Sequence, residues 1–172
     1  MRRVVVRGVS GAGKSTLARA LAARLDVPYV ELDALNHQSG WTEATAEELR
    51  AAVEPWVARD GWVIDGNYSK LGDLTMQRAD TVVWLDLPIR VWMFRLARRT
   101  LRRLITREEL WNGNREHLRS LFERPNLFEW SWRKHFENRE RIPASLHAHP
   151  GIRLVSLRSP AEVRSFLDGV PR

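Results

Sequence analysis

The sequence contains no cysteine and no long apolar segment. None of its 172 residues is Cys, which excludes disulfides, a thiol nucleophile and a cysteine-ligated zinc site. Its apolar runs are far shorter than the roughly 20 residues of a membrane-spanning helix. The run after Met1-Arg2-Arg3 is interrupted at Arg7, too early for a signal peptide. We therefore expect a cytoplasmic protein without membrane association, folded as a single domain over residues 1–172.

Acidic residues are missing from residues 90–107, although the chain as a whole carries both signs and a formal net charge of +7. This stretch contains Arg95, Arg98, Arg99, Arg102 and Arg103. Arg95 and Arg99 lie four residues apart, so a helix places them on one face. Guanidinium groups match phosphate oxygens in a bidentate fork. The run favours a polyanionic partner, a triphosphate or a nucleic acid, over a merely solvated surface.

The residues Gly8-Val9-Ser10-Gly11-Ala12-Gly13-Lys14-Ser15 form a complete phosphate-binding loop of the G-x-x-x-x-G-K-[ST] type. Glycines permit a tight turn whose successive N–H groups point into one concavity. An apolar run at residues 4–6 predicts a strand before the loop, and residues 17–25 predict a helix after it. The motif predicts a nucleoside triphosphate site with Mg²⁺ on Ser15. Its predicted contacts are Gly11, Ala12, Gly13, Lys14, Ser15 and, on the α-phosphate, Thr16.

Strand and helix patterns alternate along the chain, which predicts an α/β fold with a parallel sheet. Thr42 is a candidate cap for a helix over residues 44–59, with a kink or break at Pro55. Pro88 is expected to open an arginine-rich helix, and a last helix is expected over residues 161–167. The predicted strands are residues 3–7, 28–32, 62–64, 81–85 and 151–155.

Aspartates follow three of the predicted strands, where ligands of open parallel sheets bind. Asp33 is suited to orient or deprotonate an acceptor hydroxyl, or else to cap the turn at Ala34-Leu35. Asp65 precedes a polar turn that contains Asn67, and is expected to act on Mg²⁺ through water or on the acceptor. Asp86 is interpreted mainly as a cap for the next helix.

Aromatic residues are concentrated in two polar stretches. His37 and Trp41 follow Asp33 closely and are interpreted as acceptor contacts, with His37 less suited as a catalytic base. Leu127, Trp130 and Lys134 have helical spacing, which predicts a helix packing its tryptophans inward. A basic, aromatic surface for stacking nucleic-acid bases is the alternative.

These segments together resemble the adenylate-kinase-like branch of P-loop kinases, closest to the topology modulation (FlaR-type) proteins. The resemblance rests on the loop, on residues 32–41, on Val63-Ile64-Asp65-Gly66-Asn67-Tyr68 and on the arginine run. It implies a three-layer sandwich, a five-stranded parallel sheet of order 2-3-1-4-5, and a helical lid or insert at about residues 95–135. It also places Arg158-Ser159-Pro160 beside the adenine. Asn67-Tyr68-Ser69 replaces the Phe-Pro-Arg of adenylate kinases, so a phosphate-clamping arginine is missing there.

The interpretation that follows is an ATP- and Mg²⁺-dependent phosphotransferase acting on a small-molecule acceptor. The alternatives are a nucleic-acid-associated NTPase or polynucleotide kinase, and a non-catalytic ATP-responsive binding protein. The oligomeric state and the acceptor stay open. The expected catalytic residues are Lys14, Asp33, Arg95 and Arg99. Ser15 and Asp65 are the expected metal contacts, and Arg99, Arg158 and Pro160 are added to the nucleotide contacts. The expected acceptor contacts are Asp33, His37, Trp41, Asp65, Asn67 and Arg115.

Overall fold

The protein folds around a five-stranded, all-parallel sheet of order β2-β3-β1-β4-β5. The computed structural model describes residues 1–115 and 125–171. The expected strand order is confirmed. The strands are β1 (Arg3–Gly8), β2 (Tyr29–Glu31), β3 (Trp62–Asp65), β4 (Thr81–Leu85) and β5 (Arg153–Leu157).

Helices connect the strands and cover both faces of the sheet. Short 3₁₀ turns lie at Ser39–Trp41, Ser69–Leu71 and Trp111–Gly113. No helix in the described ranges is both long and apolar enough to cross a bilayer. The helices are α1 (Lys14–Leu25), α2 (Leu32–Asn36), α3 (Ala46–Val57), α4 (Ile89–Thr106), α5 (Leu127–His147) and α6 (Pro160–Asp168).

The core consists of two apolar layers, one on each face of the sheet, because neither face of a parallel sheet meets water. Val4 and Val6 of β1 pack on one face with α1, α4 and α6. Val5, between them in sequence, points to the other face and packs with α3 and the second half of α5. Each buried aliphatic side chain contributes about 1.5–3 kcal/mol. The three-layer sandwich expected for the chain is therefore confirmed.

Several predicted boundaries differ from the structure, and the predicted cap of α3 was wrong. Thr45, rather than Thr42, caps α3, because Thr45 and Glu48 form a reciprocal capping box. The Thr42 carbonyl instead accepts a hydrogen bond from the Gln38 amide in the preceding loop, at 2.8 Å. α3 continues through Pro55 and ends two residues later at Val57, so the predicted break does not occur.

The strands differ in extent from the prediction at both edges of the sheet. β5 begins two residues later than predicted, because its register with β4 pairs Arg153 with Thr81. β2 is shorter than predicted, since Leu32 already belongs to α2. α1 begins at Lys14, directly out of the phosphate-binding loop, rather than at Leu17.

Two predictions about the second half of the chain were wrong. Asp86 does not cap α4, whose N-cap is Pro88; its carboxylate accepts a hydrogen bond from Arg139 Nε at 3.0 Å. The tryptophans of α5 do not both pack inward: Trp132 is 47% exposed. The buried residues of α5 are Ser131, His135, Asn138 and Ile142. The part of the expected lid at residues 116–124 lies outside the described residues.

Candidate active site

The phosphate-binding loop joins β1 to the N-terminus of α1. Gly11 and Gly13 have φ angles of 81° and 97°, which L side chains rarely adopt. A Cβ atom on Gly11 would lie 2.4 Å from the Trp92 carbonyl oxygen of α4. The loop therefore packs directly against α4. Gly11 is required there both because its φ angle is positive and because a Cβ atom would collide with α4. Helix α1 starts at Lys14, so its free N–H groups face the loop, as an anion site requires.

Lys14 is anchored inside the loop. Its Nζ donates a hydrogen bond to the Val9 carbonyl at 3.2 Å. Burial lowers the pKa of Lys14, while the carboxylates of Asp33 and Asp65 oppose that shift. Both aspartates are thus close enough to interact electrostatically with the loop lysine. Arg95 of α4 donates from Nη1 to the Ala12 carbonyl at 3.3 Å, on the same loop.

A cleft of about 1430 Å³ lies in front of the loop. It is larger than a typical single-ligand pocket of roughly 300–1,000 Å³. Asp65, Arg115 and Arg158 do not line it. Among the residues predicted from sequence, those that line it are Gly11, Ala12, Gly13, Lys14, Ser15, Thr16, Asp33, His37, Trp41, Asn67, Arg95, Arg99 and Pro160.

A hydroxyl and two carboxylates meet beside the loop. The parallel register of β2 and β3 pairs Glu31 with Asp65. Ser15 Oγ donates to Glu31 Oε1 at 3.4 Å, and the Tyr29 hydroxyl donates to Asp65 Oδ1 at 3.2 Å. Asp65 is 2% exposed, and burial raises its pKa to about 6, outweighing the opposing effects of Ser15 and Lys14. Sequence reasoning missed Glu31, whose position depends on the strand register.

This oxygen donor set suits Mg²⁺, which prefers hard oxygen ligands and keeps several waters. Within residues 1–115 and 125–171, no group of three or more acidic or histidine side chains is placed to hold a metal by itself. The residues therefore fit an ion that arrives with a nucleotide and is completed by phosphate oxygens, with Ser15 as the direct protein contact.

Asp33 forms a hydrogen-bonded group with two neighbours that also line the cleft. The Tyr68 hydroxyl donates to Asp33 Oδ1 at 2.7 Å and lies 3.3 Å from His37 Nε2. Burial and the Asp33 carboxylate raise the pKa of Tyr68, which keeps its hydroxyl a donor. Asp33 does not cap a turn, since α2 already begins at Leu32. Sequence reasoning did not identify Tyr68 as a site residue.

Three rings line the cleft beyond Asp33. The His37 ring stacks on Trp111 at a centroid distance of 5.8 Å and meets the edge of Trp41 at 5.5 Å. Near them, Lys70 Nζ bridges Glu43 Oε2 and the Ala44 carbonyl. Trp111, Lys70 and Glu43 line the cleft but were not predicted, although Glu43 and Lys70 lie close in sequence to the predicted Trp41 and Asn67.

Several predicted residues have other partners. Arg115 pairs with Glu109 at 3.3 Å, and the Arg158 amide donates to Glu162. Asn67 reaches the cleft, but its Nδ2 donates to the Gly8 carbonyl at 2.8 Å, which ties the turn after β3 to the loop. On α4, Arg102 and Arg103 line the cleft beside Arg95 and Arg99, and Arg102 pairs with Glu108 at 2.8 Å.

Comparison with known proteins agrees with this architecture. The family model described as "ATPase family associated with various cellular activities (AAA)" matches residues 4–64, from β1 to β3. No curated protein matches the chain. The chain is similar to a gluconokinase from Sinorhizobium meliloti, with 21% identity and a TM-score of 0.56 over 98% of this chain and 91% of that one.

Two other solved structures show the same likeness. A sugar kinase from a Janibacter species has 22% identity and a TM-score of 0.53, over 98% of this chain and 93% of that one. A shikimate kinase from Acinetobacter baumannii in complex with shikimate has 14% identity and a TM-score of 0.60, over 98% of this chain and 89% of that one. The chain has the P-loop NTPase fold. The resemblance to the topology modulation group within that fold stays a prediction.

Proposed function

We propose that this protein is an ATP-dependent kinase that transfers the γ-phosphoryl group to a hydroxyl of a small molecule. One observation carries the proposal: the Asp33 carboxylate, held by Tyr68, faces the same cleft as the phosphate-binding loop and interacts electrostatically with Lys14. A carboxylate in that place is suited to a hydroxyl acceptor. The similarity to solved kinases across nearly the whole chain supports the same conclusion.

The nucleotide is held by the loop and α1. The backbone N–H groups from Gly11 to Ser15 surround the phosphates, and the Lys14 ammonium bonds the β- and γ-phosphate oxygens. Ser15, with Glu31 and Asp65 behind it, holds Mg²⁺, whose charge offsets that of the phosphates. Pro160, at the start of α6, lines the cleft and lies beside the adenine in this proposal.

Transfer breaks the bond between the γ-phosphorus and the β,γ-bridging oxygen and forms one to the acceptor oxygen. Asp33 accepts the hydroxyl proton, and Tyr68 keeps the carboxylate oriented towards it. Arg95 and Arg99 of α4 offset charge on the transferred group, as cationic side chains do in phosphoryl transfer. ADP carries away the bridging oxygen.

ADP release from MgATP tests the proposal, measured against a panel of nucleosides, nucleotides, sugars and aminoglycosides. We expect turnover with one acceptor class. Lys14→Met should lower kcat by about 10²–10³-fold, since it removes a clamp on developing charge. Asp33→Asn should lower it by about 10²–10⁴-fold.

Asp86→Asn is the matched control, because Asp86 also follows a strand but pairs with Arg139 outside the cleft. It should leave turnover unchanged. Full activity of Lys14→Met contradicts the mechanism. ATP binding without ADP release against every acceptor contradicts the kinase proposal and supports a non-catalytic ATP-responsive protein.

A nucleic-acid-associated NTPase is the second candidate, favoured by an exposed ring pair next to the arginine-rich helix. Trp132 and Phe136 lie 5.6 Å apart and are each 47% exposed. Stacking platforms beside cations bind single strands. Stimulation of ATP turnover by RNA or DNA, with binding that weakens steeply as salt rises, supports this candidate. Turnover that is unchanged by nucleic acid excludes it.

A further inference from the structure

Two asparagines after α4 hold the loop that follows Asp33. Asn114, only 4% exposed, donates from Nδ2 to the Gln38 carbonyl at 2.8 Å and accepts from the Trp41 amide at 2.8 Å. Asn112 donates to the His37 carbonyl at 2.6 Å. We call the side chains of Asn112 and Asn114 the clasp, and residues 37–41 the acceptor loop.

Further contacts strengthen the attachment between the same two segments. The Trp111 ring stacks on His37, and Trp41 Nε1 donates to the Arg115 carbonyl at 3.2 Å. Separating the segments would exchange these hydrogen bonds for bonds to water, at a net cost of about 0.5–1.5 kcal/mol for each bond. The acceptor loop and the Trp111–Gly113 turn therefore move together.

The turn itself is closed by backbone hydrogen bonds. The Leu110 amide donates to the Asn114 carbonyl at 2.7 Å, and Glu109 and Arg115 form an antiparallel bridge. Glu108, just before it, pairs with Arg102 of α4 at 2.8 Å. The clasp is thus connected to the C-terminal end of α4 by a short, hydrogen-bonded segment.

The N-terminal half of α4 contacts the phosphate-binding loop. Arg95 donates to the Ala12 carbonyl, and Gly11 packs so closely on Trp92 and Leu96 that a methyl group does not fit between them. A continuous set of contacts therefore runs from the loop through α4 and the clasp to the acceptor loop, which continues from α2 and Asp33.

We propose that Asn112 and Asn114 are positioning residues that couple nucleotide binding to formation of the acceptor site. The proposal rests on the proposed function. A nucleotide on the phosphate-binding loop fixes the position of α4. Through the clasp, this fixes the positions of His37 and Trp41. Because such coupling is reciprocal, an acceptor tightens nucleotide binding by the same factor.

Hydrogen–deuterium exchange tests this without knowledge of the acceptor. The full chain is compared with and without AMP-PNP and Mg²⁺, following peptides from the phosphate-binding loop and from residues 37–44. We expect the nucleotide analogue to slow exchange in both regions. At residues 37–44 the expected slowing is about tenfold, which is a typical size for coupling between two sites. In Asn114→Ala and in Asn112→Ala, the phosphate-binding loop should stay protected while residues 37–44 lose the nucleotide-dependent protection.

The control is Asn138→Ala, which removes a buried asparagine of α5 outside the cleft and should keep both effects. Asn112 is exposed, so its variant remains informative should Asn114→Ala fail to fold. Protection of the loop without any effect on residues 37–44 in the unaltered protein overturns the coupling and leaves the proposed function intact. Retained protection of residues 37–44 in both clasp variants also overturns the coupling and leaves the proposed function intact. Absence of protection at the phosphate-binding loop contradicts the proposed function itself.

Discussion

Asp65 illustrates how a single buried carboxyl group links the site to stability. It lies at the end of β3, paired in register with Glu31, and its pKa is raised to about 6 chiefly by burial. The folded protein therefore holds a proton that the unfolded chain releases at lower pH. Between the ordinary aspartate pKa of 3.8 and the raised value of about 6, the free energy of unfolding falls as the pH rises. Above pH 6 it stays lowered by the full amount.

Asp65→Asn should remove this dependence, because the amide is neutral and its oxygen still accepts from Tyr29. We compare the free energy of unfolding of the variant with that of the unaltered protein. We expect this difference to be about 2–3 kcal/mol more favourable to the variant at pH 7 than at pH 4. Urea denaturation of both proteins at the two pH values measures the difference, in which the effects of other groups cancel. An equal difference at both pH values would show that Asp65 titrates normally.

At this scale, sequence patterns singled out residues by local chain geometry, and their roles stay predictions. Lys14 and Ser15 are identified by spacing alone, and Asp33, His37 and Trp41 by their position after a strand. Glu31, Tyr68 and Trp111 were missed for a physical reason. Glu31 becomes a neighbour of Asp65 only through strand register, and Tyr68 and Trp111 reach Asp33 and His37 only through tertiary folding.

Among the elements, α4 and α5 both contain buried polar atoms that have no hydrogen-bond partners among the described residues. Trp92 Nε1 and Thr100 Oγ1 of α4, and Ser131 Oγ and Asn138 Nδ2 of α5, are buried without hydrogen-bond partners in the described structure. Each buried polar group without a partner costs about 1–3 kcal/mol. These groups therefore offset part of the free energy that burial of the two helices contributes.

Ser131→Ala should stabilise the protein by about 1 kcal/mol, since it removes one such hydroxyl without leaving a large cavity. We expect the melting temperature to rise by about 2–4 °C. Ser145→Ala is the matched control on the same helix, because Ser145 Oγ already donates to the Ile142 carbonyl at 2.8 Å. Thermal unfolding followed by circular dichroism compares them, and equal shifts for both serines would contradict this explanation.

The loop glycines test the contact between the phosphate-binding loop and α4. Gly11→Ala should destabilise the protein by at least 2 kcal/mol more than Gly13→Ala, on the order of a strained core contact. Both residues have positive φ, but only Gly11 would place Cβ against α4; at Gly13 the nearest atom is Arg95 Nη1 at 3.6 Å. Chemical denaturation gives both values. Equal losses would mean that backbone strain alone accounts for the glycines.

Sequence located all five strands of the described residues, but it placed several helix ends and caps less accurately. The T-x-x-E spacing of Thr45 and Glu48 decides between Thr42 and Thr45, and that signal was present in the sequence but overlooked. Asp86 has the residue type of a cap, yet Arg139, more than fifty residues later, takes its carboxylate. The inner face of α5 carries Ser131, His135 and Asn138, and no hydrophobic period identifies such a polar stripe.

Over the whole molecule, the strand order followed from resemblance to a known fold, and the two-layered core agrees with the continuous apolar run of β1. Periodicity does not determine the order of strands in a sheet. The positively charged cleft, formed jointly by α1, α4 and α6, emerges only at this scale.

Nucleotide should stabilise the entire fold, because it binds the native state alone. MgATP at about 100 times its dissociation constant should add about 2.7 kcal/mol, which corresponds to a rise in melting temperature of roughly 5–10 °C. Lys14→Met should show little of this shift. Differential scanning fluorimetry across an ATP series provides the measurement, and a melting temperature independent of MgATP would argue against a nucleotide site.

The bond from Lys14 to the Val9 carbonyl also bears on how tightly a ligand is held. A lysine side chain has about 1.5–2 kcal/mol of rotamer freedom to lose when it is immobilised. Here folding has already imposed most of that loss, because the ammonium is tethered to its own loop. Two of its three N–H donors remain available for a ligand. Association with an anion therefore requires little further ordering of this residue, and the site is preorganised before its ligand arrives.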